Sequence, residues 1–124
     1  MERSKKVLLA EDNSMNRRLI KLMVEKSGYS CSTAADGGEA IDTLKREHFD
    51  ILLVDMHMPK KNGMEVVDEI KSSGRLSRLY IILITAGAVA EGEERFIEAG
   101  CDDFIAKPLD KYELKGKLDR AGKE

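Results

Sequence analysis

The chain has only two cysteines, Cys31 and Cys101, with no CxxC pair and no histidine at metal-ligand spacing from either. That excludes a zinc ribbon and points to buried free thiols over a disulfide or reactive thiol, as expected in an intracellular setting. A basic run is also missing: 21 Lys and Arg stand against 23 Asp and Glu, for a net charge of -2. Neither nucleic-acid phosphates nor an anionic membrane surface is favoured, so the expected partners are proteins. No apolar run exceeds strand length, and Met1 to Lys6 leads into a short hydrophobic stretch without a signal-peptide core or cleavage site. A cytoplasmic protein without membrane association is the expectation. No repeat, low-complexity tract or Pro/Gly/Ser-rich linker divides the sequence, so residues 1-124 are expected to form one domain with no output domain.

At 124 residues, 42% hydrophobic and 35% charged, the chain is long and apolar enough to bury a core without a staple. Short apolar, β-branched runs at Val7 to Ala10, Ser30 to Ala34, Ile51 to Val54, Tyr80 to Ile84 and Phe104 to Ala106 read as strands buried on both faces. Between and after them, Met15 to Lys26, Glu39 to Glu47, Met64 to Ser72, Val89 to Ala99 and Lys111 to Leu118 carry helical spacing, as in Leu19, Leu22 and Met23 or Leu114 and Leu118. Asp36 with Glu39, Asn62 with Glu65, and Asp110 with Glu113 have the spacing of N-terminal caps. Gly28 and Gly100 stand where helices should stop. Five βα units with right-handed crossovers predict an α/β fold, a doubly wound parallel sheet of five strands with five helices.

In such sheets the ligand site lies beyond the carboxyl ends of the strands. Glu11 and Asp12 follow the first strand, Asp55 the third, Thr85 the fourth and Lys107 the fifth. Three carboxylates gathered at one edge repel one another unless a cation neutralises them. All-oxygen donors suit Mg²⁺ or Mn²⁺, and the lack of His or Cys at these strand ends argues against zinc. Lys107 supplies a compact positive charge that could pair first with a carboxylate and later with phosphoryl oxygens. Taken singly, each residue has a plainer role: Asp12 in a loop or helix cap, Asp55 in a turn, Thr85 as a strand residue, Lys107 as a solvated charge. All of these would have to coincide at one sheet edge.

The strings LLAEDN, DILLVDMHMPKKNG, ILITA and AGCDDFIAKP resemble the signature segments of response regulator receiver domains, and the likeness spans nearly the whole chain. It implies a flavodoxin-like fold of strand order 2-1-3-4-5. It further implies that Asp55 is phosphorylated and that Glu11, Asp12 and Asp55 hold Mg²⁺, the length of Glu11 suggesting contact through water or from behind the direct ligands. Thr85 and Lys107 would contact the phosphoryl group, and Thr85 with Phe104 would form the switch, next to a helix from Val89 weakened by Gly92. His57 and Gly87 would govern hydrolysis. Asn16 and the EDN string resemble receivers associated with hybrid histidine kinases, though Asn16 reads equally well as an exposed polar residue.

The implied function is that of a phosphorelay signalling domain, self-catalysing phosphorylation and dephosphorylation but no turnover enzyme. Its implied partners are a histidine kinase or histidine phosphotransfer protein and a downstream protein target. The implied state is a monomer or a phosphorylation-dependent dimer. Two alternatives stay open on the residues alone. A flavodoxin-like cofactor binder would need a Ser, Thr and Gly-rich phosphate loop where this chain has acids. A degenerate receiver used only for docking would lack one of the acid, Thr and Lys set, none of which is missing.

Overall fold

A computed structural model describes residues 5-74, 78-86 and 97-122. Within them run β1 (Lys6–Ala10), α1 (Ser14–Lys26), β2 (Ser30–Ala34), α2 (Gly37–Arg46), β3 (Ile51–Asp55), α3 (Gly63–Ser72), β4 (Tyr80–Ala86), β5 (Asp103–Lys107) and a C-terminal helix (Lys111–Ala121). The five strands form one sheet in the order β2-β1-β3-β4-β5, all parallel. This is the predicted doubly wound topology, with β3 at the centre and β5 on an edge. The expected helix from Val89 to Ala99 lies outside the described residues except for 97-99, which are helical.

Side chains alternate across each strand, so the two faces of the sheet carry separate cores. Leu8, Ala10, Leu52, Val54, Ile81 and Leu83 pack with residues of α2 and α3 on one side. Val7, Leu9, Ile51, Leu53, Ile82, Ile84 and Ile105 pack with α1 and the C-terminal helix on the other. Each fully buried Leu or Ile contributes about 1.5–3 kcal/mol of transfer free energy. Both faces being covered explains why these strands read as continuous apolar runs and not as alternating ones.

The caps form as their spacing suggested. Asp36 accepts from the backbone N–H of Glu39 and Asp110 from that of Glu113, while Asn62 and Glu65 make the full reciprocal box. Gly28 and Gly100 adopt φ of 98° and 115°, the left-handed region that ends a helix. On α1 the buried residues are Ile20 and Val24, whereas Leu19 and Leu22 are 58% and 54% exposed. Helical periodicity alone does not tell which of two neighbouring apolar stripes meets the sheet.

Candidate functional site

Glu11, Asp55, Thr85 and Lys107 all come to the carboxyl edge of the sheet: Glu11 follows β1, Asp55 and Lys107 close β3 and β5, and Thr85, expected just after the fourth strand, is the last residue but one within β4, because that strand runs on to Ala86 in pairing with β5. Asp55 is the last residue of β3, and the residue that follows it is fixed through both its N–H and its carbonyl. The Met56 N–H donates to the Ile84 carbonyl (2.9 Å) and the Gly63 N–H to the Met56 carbonyl (3.0 Å), closing the loop back on itself. That closure needs glycine: a Cβ on Gly63 would stand 2.5 Å from the Asp55 carbonyl oxygen. The loop after β1 is held differently. Asn13 caps α1 by accepting from the Asn16 N–H, and the Arg17 guanidinium donates to the carbonyls of Glu11 (2.9 Å) and Asp12 (3.3 Å). Since Asn13 is the cap, the exposed Asp12 side chain is released from that task.

The three carboxylates offer oxygens that all lie within 4.8 Å of one another. Asp55 is buried; one of its oxygens accepts from the His57 N–H (3.0 Å) and the other from Lys107 Nζ (2.6 Å). Glu11 is 1% exposed and accepts from the Asn13 N–H (3.0 Å) through Oε2, while Oε1 lies 3.4 Å from Lys107 Nζ without a hydrogen bond. Burial, reinforced by the Asp55 carboxylate beside it, pushes Glu11 up from 4.5 to about 7, against the Asn13 N–H and Lys107. Burial works to lower the Lys107 ammonium, but its hydrogen bond to Asp55 and the nearby negative charge leave it raised and firmly protonated. An orphaned buried carboxylate oxygen in an all-oxygen acidic cluster is what a hard divalent cation would satisfy, so the residues fit one.

Thr85 is fully buried and its hydroxyl has no hydrogen-bond partner among the described residues. The β4–β5 register sets it opposite Ala106, with Phe104 on the same side of the sheet two residues earlier. His57 is exposed and, with Asp12, Met56, Met58, Pro59, Asn62 and Met64, lines a hollow of about 480 Å³ beside the carboxylates. Gly87 and Gly92 lie outside the described residues. Asn16 lines a separate groove with Leu19, Ile20, Met23 and Lys107. Arg17, which braces the acidic loop, was not singled out from the sequence; nothing about a lone arginine one turn into a helix distinguishes it there.

A doubly wound fold with three acids, a threonine and a lysine at its strand ends defines a class, and the family model for the response regulator receiver domain matches residues 7–119. The chain belongs to that family. The polar-differentiation response regulator DivK of Brucella ovis is 35% identical over 106 residues, covering 86% of each chain. Among solved structures, the receiver domain of the sensor histidine kinase PA1611 of Pseudomonas aeruginosa is 33% identical at a TM-score of 0.86, covering 97% of this chain and 99% of that one. That structure has a magnesium ion coordinated in its active-site cleft. The chemotaxis response regulator CheY4 of Vibrio cholerae is 26% identical at a TM-score of 0.89, covering 96% and 99%. The protein is thus a signalling domain of the response regulator type, and its acidic cluster fits a receiver magnesium site.

Proposed function

We propose that this receiver accepts a phosphoryl group on Asp55 from a phosphohistidine of a histidine kinase or phosphotransfer protein, and that the modification alters a face read by a downstream protein. One observation carries this: a buried carboxylate held 2.6 Å from Lys107, with two further carboxylates within 4.8 Å. An Asp55 oxygen attacks phosphorus as the phosphorus–nitrogen bond breaks, and the electron pair of that bond stays on the imidazole. A carboxylate nucleophile has no proton to lose as it attacks and needs no general base, so the protein contributes position and charge. Lys107 follows the transferred oxygens from its place beside Asp55, and the Thr85 hydroxyl, without a partner among the described residues, turns to them. Glu11, Asp12 and Asp55 would hold Mg²⁺ or Mn²⁺, and the bound cation would supply the positive charge that neutralises phosphoryl oxygens.

Reversal is attack of water on phosphorus, breaking the acyl oxygen–phosphorus bond and returning the carboxylate. His57 and Gly87 are proposed to set how freely water enters. Signalling is then a self-catalysed loading and unloading, not turnover of a substrate pool. A cytoplasmic location belongs to the same proposal, supported by two buried, unbridged thiols whose burial raises them to about 12 at Cys31 and about 11 at Cys101. Incubation with acetyl phosphate and Mg²⁺ followed by intact mass measurement is the test. A single phosphoryl adduct is expected, absent in Asp55→Asn and absent with EDTA; an undiminished adduct in either case overturns the assignment.

A further inference from the structure

Lys117, on the C-terminal helix, reaches around the edge strand β5 and touches it on two sides. Its Nζ donates to Asp103 Oδ1 (2.9 Å) and also lies 5.6 Å from the centre of the Phe104 ring. Asp103 is itself immobilised, since the same oxygen accepts from the Phe104 N–H (2.8 Å) and Arg120 stands 3.6 Å from the other. The pair is largely withdrawn from water, with side chains 17% and 10% exposed. A cation clamped in this way over a half-buried aromatic face attracts it more strongly than a solvated lysine does. The ring that it faces shares the Thr85 side of the sheet, with only the small Ala106 opposite Thr85.

We propose that Lys117 is a positioning residue for Phe104: anchored by Asp103, it holds the ring in its present half-buried orientation and so biases the resting balance of the switch. The proposal builds on the phosphoacceptor assignment above. Turning Phe104 towards Thr85 forfeits the contact with the ammonium, so removing the charge should shift the balance roughly two- to fivefold towards the inward state.

The experiment is a beryllofluoride titration in the presence of Mg²⁺, followed by NMR at Phe104 and at residues around Asp55. In Lys117→Gln the half-saturating concentration should fall roughly two- to fivefold. The free-state Phe104 ring resonances should move towards their bound positions, and Mg²⁺ affinity should be unchanged. Lys117→Arg should behave as the wild type. If Lys117→Gln fails to fold because Asp103 is left buried, Asp103→Asn/Lys117→Gln removes both charges and should show the same shift. Wild-type midpoints and ring resonances in the uncharged variant overturn the Lys117 assignment alone. A wild type that shows no response at Asp55 overturns the phosphoacceptor assignment, and this one with it.

Discussion

Held free of metal, the protein should lose stability as the pH rises through neutrality, contrary to the usual behaviour of acidic groups. Glu11 is the cause. Its folded-state pKa is raised from 4.5 to about 7, so the folded chain binds the proton more tightly than the unfolded chain between those values. The contribution of Glu11 to stability is therefore fully present below about 4.5, declines as the pH rises, and is lost above about 7. The difference corresponds to about 3 kcal/mol, an appreciable part of the 5–15 kcal/mol that holds a domain folded. At 1% exposure, Glu11 is little screened by solvent. Asp50 is shifted the other way, but below its ordinary value of 3.8, and so acts at lower pH. Urea denaturation in EDTA from about pH 5 to about pH 8 measures the slope directly. Glu11→Gln should flatten it and leave the variant more stable than the wild type at the alkaline end. Mg²⁺ should flatten it as well, because the cation favours ionised Glu11, adding about 2.7 kcal/mol at a hundred times its Kd. A flat wild-type profile in EDTA, or an unchanged slope in Glu11→Gln, would refute the assignment.

Gly63→Ala should cost about 1–3 kcal/mol by chemical denaturation, because its Cβ meets the Asp55 carbonyl oxygen at 2.5 Å and the loop must shift. The same variant should phosphorylate more slowly, since the displaced backbone carries the acceptor. Asn62→Ala removes the side-chain acceptor for the Glu65 N–H and should lower the denaturation midpoint by the equivalent of about 1 kcal/mol, leaving Mg²⁺ affinity close to wild type.

Strand ends were legible because a parallel sheet covered on both faces writes β1, β3, β4 and β5 around short apolar runs. The first polar residue after such a run must then emerge at the carboxyl edge. Glu11, Asp55 and Lys107 were found by that rule alone, and the capping pairs were legible because their chemistry is confined to four consecutive residues. What escaped depends on distance in space. Asn13 and Asp12 are equally good caps on paper, and only the built helix chooses between them. Arg17 acts through its reach to two carbonyls, Gly63 through backbone approach, and Lys117 through a strand fourteen residues earlier. The solvent-facing Leu19 and Leu22 show the converse, where periodicity was real but the packing partner was not encoded in it.

The loop between β3 and α3 is fastened at Met56 and Gly63 and again by the capping box at Asn62, whereas the Thr85 hydroxyl across the cleft is fastened to nothing described. A displacement carries information only relative to something that stays still. One side of the site therefore serves as a fixed datum and the buried hydroxyl as a pointer, and a surface packed against both registers a shift of the pointer that a binding protein never touches directly. Loosening the datum would blur that signal even with the acceptor fully loaded. Substitutions between Met56 and Gly63 are thus expected to uncouple modification from its readout without preventing modification.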